Sequence, residues 1–169
     1  SGYQGWGGNL YPSSSASLRS FARGSGAVST AEGRCERPRI RAINRSSADC
    51  DAPDEVGDVM VVAFELAGQG YIALNGGPLF RFSPAISLAI PCETQDEVDH
   101  YWARLTEGGE EGQCGWLTDR YGVTWQVTPT PLIRMFQSDD RAAAARAAAA
   151  MMPMKKLDIA ALQRAFDNA

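Results

Sequence analysis

Histidine occurs once in this chain of 169 residues, at His100, and lysine only twice, at Lys155 and Lys156, against 14 arginines. A single imidazole excludes the histidine-rich metal sites, which need several imidazoles or carboxylates converging on one ion. It also leaves Cys114 without an accompanying base in the sequence, so a cysteine nucleophile has no support. The four cysteines, Cys35, Cys50, Cys92 and Cys114, form no CxxC pair. That spacing excludes a zinc knuckle and a thioredoxin-like motif, and reduced thiols are expected. No apolar run approaches the roughly 20 residues that span a bilayer, and residues 1–31 lack the compact apolar block of a signal peptide. A cytoplasmic protein with no membrane partner is the expectation. Basic charge is short as well. A formal net charge of -4 argues against a nucleic-acid partner, whose affinity would rest on neutralised phosphates.

At 44% hydrophobic, the chain has enough apolar residues to bury one sizeable core. They are unevenly spread. Residues 1–37 hold eight serines and seven glycines, with apolar residues scattered singly, and neither helical nor strand periodicity survives there. This segment reads as irregular, either a natural flexible extension or a replaced, frame-shifted terminus, and both readings stay open. Residues 38–169 read as the folded domain, with C-terminal helices from about residue 138.

Within that domain, Asp58–Leu66 is apolar on both faces and predicts a central strand. Tyr71–Asn75 pairs with it across the short Ala67–Gly70 link. Ala85–Cys92 predicts another strand, whose small face at Ala85, Ser87 and Ala89 can border a cavity. Thr94 followed by Glu97 is a capping box, and Val98, Tyr101, Trp102 and Leu105 follow at helical spacing up to the stop at Gly108–Gly109. Gln113–Leu117 and Val123–Thr128 predict a hairpin, with Val123, Trp125 and Val127 on one face and Thr124, Gln126 and Thr128 on the other. Asp139 and Asp140 open an alanine-rich helix that Pro153 ends, and a second amphipathic helix follows from Met154.

The strings ALNGGP at Ala73–Pro78, CETQDEVD at Cys92–Asp99, CGWLTDRYGVTWQV at Cys114–Val127 and MKKLDIAAL at Met154–Leu162 stand in this order. In them the chain resembles the PhnB-like branch of the vicinal oxygen chelate superfamily, the glyoxalase and bleomycin-resistance fold, whose members often carry the label 3-demethylubiquinone-9 3-methyltransferase-like. The resemblance covers about Pro38 to the C-terminus. It implies an α+β protein of paired βαβββ modules with C-terminal helices. The first strand and helix of that pattern are not found before Pro38, so the first module is expected to be incomplete.

The resemblance also implies a sheet-lined cavity, often with a divalent metal held by His and Glu side chains. Here the only histidine falls in a helix, and Gln126 stands where metal-binding relatives carry a glutamate on the last strand. No metal ligands and no cofactor are therefore expected. Asn75, Ser87, Trp116, Thr124 and Gln126 are the candidate ligand-binding residues, offering neutral hydrogen bonds and an aromatic wall. Plain structural roles are open as well: a turn residue for Asn75, core packing for Trp116 and an exposed strand position for Gln126. Methyl transfer rests on the family label alone. Gly68 and Gly70 join strands, Gly76 and Gly77 precede proline, and Gly108 and Gly109 end a helix, so none forms the glycine-rich turn of a nucleotide-like donor site. The expected function is capture of a small organic molecule, with its transformation left open and metal-free sequestration as the alternative. Helices packed on a sheet edge suit a homodimer.

Overall fold

A computed structural model of the chain describes residues 28–29, 35–36, 39–45, 59–66, 69–75 and 81–168. The chain divides into two compact units, Ser1–Ser83 and Pro84–Ala169. The boundary expected at residue 37 lies outside the described residues.

In the first unit, β1 (Val28–Ser29) and β2 (Cys35–Glu36) form a two-residue antiparallel pair. A three-stranded antiparallel sheet follows, with β4 (Val59–Leu66) between β3 (Arg39–Arg45) and β5 (Gln69–Leu74). The central place of β4 is what its two apolar faces predict. Val62 pairs with Ala73, and both are buried. Phe64 stacks on Tyr71 with ring centroids 5.6 Å apart. A register shift between Ile40 and Ala42 leaves Arg41 beside Glu65, to which its Nε donates at 3.1 Å. Among the described residues this unit contains no helix, and the expected lack of a first strand and helix before Pro38 falls mostly outside them.

The second unit contains a complete βαβββ module. β6 (Leu88–Cys92) leads into α1 (Gln95–Thr106), then β7 (Glu110–Glu111), β8 (Trp116–Thr118) and β9 (Thr124–Pro129). The strand order is β6-β9-β8-β7, with β6 parallel to β9 and the other pairs antiparallel. β6 begins at Leu88 and not at the expected Ala85, because residues 84–86 turn before the ladder starts. Ile86 is consequently 54% exposed and does not join the buried strand face.

α1 starts at the expected capping box. Thr94 Oγ1 accepts from Glu97 N–H at 3.2 Å, and Glu97 Oε2 accepts from the Thr94 N–H at 3.4 Å. Its stripe of Val98, Tyr101, Trp102 and Leu105 is buried against the sheet side chains Ile90, Leu117, Trp125 and Val127. This interlock is the unit's main apolar contact, worth about 25 cal/mol for each Å² removed from water. After the helix, Gly109 permits a close approach that a side chain would block, since a Cβ there would lie 2.2 Å from the Thr118 carbonyl oxygen.

Three helices complete the unit: α2 (Thr130–Phe136), α3 (Arg141–Met151) and α4 (Ile159–Asp167). α2 precedes the helices expected from the sequence. Asp140 and Asp158 cap α3 and α4 by accepting from Ala143 N–H at 2.9 Å and Ala161 N–H at 2.8 Å. The Arg146 guanidinium donates to the Ala165 and Phe166 carbonyls at the end of α4, where a cation meets the helix dipole favourably. Leu132, Met135, Ala147, Leu157 and Leu162 form a second buried cluster beneath these helices.

The loop before β8 fastens this layer to the module. Cys114 at φ 57° and Gly115 at φ 83° are the central residues of a tight turn closed by Trp116 N–H donating to Gln113 O at 3.0 Å. Their own N–H groups donate outward, to Met154 O at 2.7 Å and Lys155 O at 2.8 Å. Among the described residues no helix is long and apolar enough to cross a membrane.

Candidate functional site

Strand alternation divides the four-stranded sheet of the second unit into two chemically different faces. On β9, Trp125, Val127 and Pro129 turn to the α1 side and are buried. Thr124, Gln126 and Thr128 turn to the opposite face, called helix-free because no helix of this unit packs on it among the described residues. The cross-strand register extends that face: Gln126 lies between Ala89 on β6 and Trp116 on β8, Thr124 is opposite Thr118, and Thr118 is opposite Glu110 on β7.

Ser87 joins this face from just before β6. Its Oγ accepts from Gln126 Nε2 at 2.7 Å, across 39 positions of sequence. That bond fixes the Gln126 carboxamide and leaves Oε1, which has no hydrogen bond among the described residues. Thr124 is only 6% exposed, and its hydroxyl likewise has no hydrogen bond among the described residues. A buried hydroxyl without a partner costs about 1–3 kcal/mol. Trp116, Gln126, Thr128 and Ser87 are half-buried.

The structure therefore brings four of the five candidates, Ser87, Trp116, Thr124 and Gln126, to one face. Asn75 belongs to the first unit, where its N–H donates to Met60 O at 2.8 Å and prolongs the β4–β5 ladder.

The position of this face depends on Asp119 in the β8–β9 turn, a residue that sequence reasoning placed in the turn but did not single out. Its Oδ1 accepts from Tyr121 N–H at 2.9 Å and Val123 N–H at 3.0 Å, and its Oδ2 accepts from Trp125 Nε1 at 2.9 Å. Burial pushes the Asp119 carboxyl above its ordinary pKa, against the opposing effect of the donors from Trp125, Val123 and Tyr121. An Asp followed three residues later by Gly122 was the available signal. What it could not convey was the reach to the Trp125 indole.

The other chemistry-bearing side chains sit elsewhere. Cys92 is fully buried on the α1 side, and burial, followed by the charge of Glu97, pushes its thiol up to about 12, so it is not a thiolate at neutral pH. His100 is exposed on α1 with its ring edge-on to Tyr101 at 5.3 Å. The fold's relatives imply a divalent metal held by His and Glu. Among the described residues no three of His, Cys, Asp and Glu converge. The helix-free face offers a carboxamide oxygen and hydroxyls, a neutral donor set that does not fit such an ion.

A separate groove of about 960 Å³ runs between the N-terminus of α1, α2 and α4, lined by Met135, Ile159, Phe166, Glu93, Arg134 and Asp158 among others. Its polar groups are already engaged. Arg134 pairs with Glu93 at 3.3 Å and Asp158 caps α4. Gln95 donates to Asp99 and to the Leu157 carbonyl and accepts from Ile159 N–H. The groove is an opening between packed helices with no free polar group directed into it, and sequence periodicity gave no sign of it.

The profile of a family described as 3-demethylubiquinone-9 3-methyltransferase matches residues 34–128, more than half of the chain. Among solved structures, the chain is similar to the PhnB protein from Bacillus cereus, whose description assigns it provisionally as a 3-demethylubiquinone-9 3-methyltransferase. The two are 27% identical with a TM-score of 0.55, and the match covers 75% of this chain and 99% of that one. The protein PA1353 from Pseudomonas aeruginosa matches at 20% identity with a TM-score of 0.39, over 48% of this chain and 71% of its own, and no argument rests on it. No curated protein matches the chain significantly.

Proposed function

We propose, from the premise that this chain belongs to the 3-demethylubiquinone-9 3-methyltransferase family over residues 34–128, that it captures a small organic molecule on the helix-free face of the β6-β9-β8-β7 sheet. The observation that carries this reading is the Ser87–Gln126 hydrogen bond, which orients a carboxamide whose oxygen is left open beside the buried Thr124 hydroxyl and Trp116. Sites of this kind hold ligands through a few fixed polar groups set in apolar surroundings. Capture without a resident divalent metal follows from the neutral donor set.

Methyl transfer, which the family's description names, would require a site for a methyl donor and a base for the acceptor. The helix-free face supplies hydroxyls and a carboxamide, and no ionisable group stands in its middle rows. Binding is therefore the proposed role. Association as a homodimer and a cytoplasmic location belong to the same reading.

Metal analysis and thermal shift test it together. Protein purified without chelator should hold substoichiometric zinc, iron, nickel or manganese, and chelator should leave its Tm unchanged. A ligand bound at 100 times its Kd stabilises the native state by about 2.7 kcal/mol. A panel of small organic compounds should therefore contain members that raise the Tm of the wild type and fail to raise that of Gln126→Ala. Stoichiometric metal with a chelator-sensitive Tm, or a panel response that Gln126→Ala leaves intact, overturns the reading.

A further inference from the structure

The helix-free face has a chemical signature narrower than "small molecule". Its middle rows, Ser87, Ala89, Pro91, Trp116, Thr118, Thr124, Gln126 and Thr128, contain no ionisable side chain. Among the described residues, the one ionisable group in register with them is Glu110, at the β7 edge opposite Thr118. An anionic ligand would be desolvated with no cation of these strands to meet it and would face that carboxylate. A cationic ligand would leave water for a carboxamide oxygen and hydroxyls, with the exposed Glu110 two strands from Gln126. Charge of either sign is poorly served here.

Among the described residues several polar groups of this face, the Thr118 and Thr128 hydroxyls and the Trp116 indole N–H included, have no hydrogen bond, and two of them are also fixed in place. Gln126 Oε1 can only accept, and Gln126 Nε2 is held by Ser87 Oγ at 2.7 Å, so the orientation of the amide is set before a ligand arrives. The Thr124 hydroxyl, in a side chain 6% exposed, can donate or accept. Thr124 and Gln126 are two positions apart on one strand, so they face the same way at a separation of about 7 Å. Trp116, directly across from Gln126, adds an indole beside them.

We propose that this face takes an uncharged, planar ligand that donates a hydrogen bond to Gln126 Oε1, bonds the Thr124 hydroxyl with a second polar group and lies against Trp116, as a neutral aromatic carboxamide would. The inference rests on the binding reading above and adds its ligand class. The flat shape follows from the indole, since ring faces stack on aromatic side chains in offset or edge-on arrangements. The lack of charge follows from the composition of the face among the described residues, and the two polar groups follow from the carboxamide that Ser87 orients and the hydroxyl that is buried beside it.

Benzamide, benzoate and benzamidine supply the test, being nearly the same shape with charges of zero, minus one and plus one. Heteronuclear NMR of the full chain reads the Gln126 carboxamide NH₂ and the Trp116 indole N–H directly. Benzamide should shift both resonances, with an affinity at least ten times that of either charged probe. Thr124→Val, which removes the hydroxyl at nearly constant shape, should weaken benzamide about tenfold while leaving the Gln126 and Trp116 resonances of the free protein close to those of the wild type. Gln126→Glu should turn the preference toward benzamidine. A charged probe that binds as well as benzamide at these residues, or an unchanged benzamide affinity in Thr124→Val, overturns the ligand class and leaves the binding face standing. Absence of any shift at Gln126 and Trp116 with all three probes at millimolar concentration overturns the face as well.

Discussion

Trp102 is the largest buried side chain of α1, and it also has a polar partner. Its ring is buried beneath the helix, and its Nε1 donates to Glu111 Oε1 at 3.0 Å, while Lys155 approaches Glu111 Oε2 at 3.4 Å. Trp102→Ala should therefore lower stability by about 3–5 kcal/mol in denaturant unfolding, as large core truncations do. His100→Ala, two residues away on the exposed face, should stay within about 0.5 kcal/mol. A small loss at Trp102 would mean that the helix presents a different face to the sheet. Asp119 makes a prediction in pH. Its folded pKa is raised, so the native state binds the proton more tightly than the unfolded chain does. The contribution of this group is then fully favourable below the unfolded value of about 3.9 and is lost as pH rises through the folded pKa. The exposed carboxylates Asp99 and Glu111 run the other way. Hydrogen bonds, first from Lys156 to Asp99 and from Trp102 to Glu111, lower their pKa, and their contribution fades on acidification. Asp119→Asn isolates the first effect because both proteins share the second. The Tm advantage of the wild type over Asp119→Asn should widen as pH falls from 6 to 4, and an advantage that shrinks would contradict the raised pKa.

Among the elements, the turn at Cys114–Gly115 permits the sharpest test. Cys114 has a backbone conformation that costs an L-residue about 1–2 kcal/mol and glycine almost nothing, although glycine loses about 0.5–1 kcal/mol more chain entropy on folding. Cys114→Gly should then stabilise by about 0.5–1 kcal/mol. Gly115→Ala should destabilise by more than 1 kcal/mol, because its Cβ would stand at positive φ and 2.7 Å from the Val127 carbonyl oxygen. Chemical denaturation of the two variants reads both signs. The elements also show what the sequence could display. α1 was legible from Thr94 and Glu97 to Leu105 because capping and helical periodicity are local properties. β7 was not: it is two glutamates at a sheet edge, and only pairing with Thr118 and Leu117 makes it a strand. α2 was hidden by the prolines of TPTPL, although Pro131 sits in its first turn, where a missing N–H costs no helical hydrogen bond. The shared face of Thr124 and Gln126 was visible as a period of two. The bond to Ser87 and the burial of Thr124 were not, since both depend on strands that meet from distant positions.

At the scale of the whole molecule, the second unit has the attributes of an independent domain: a complete βαβββ module, two buried clusters and helix ends capped from within its own sequence. A fragment of residues 84–169 should fold by itself, giving a helical circular dichroism spectrum and one cooperative thermal transition. A broad, non-cooperative melt would show that residues 1–83 are needed. Apart from β7, the module was legible because its strands and helix follow one another in sequence. Its strand order was not legible, since no local pattern tells a parallel neighbour from an antiparallel one. That order has a consequence in time. β9, the last strand of the module to be synthesised, pairs with β6 on one side and β8 on the other. While the chain is still on the ribosome, β6 and α1 have no sheet to join until residue 129 emerges, and their apolar faces wait in the open. Nucleation must bridge a long loop before any parallel contact forms, which makes this unit a comparatively slow folder and a natural client for chaperones during translation.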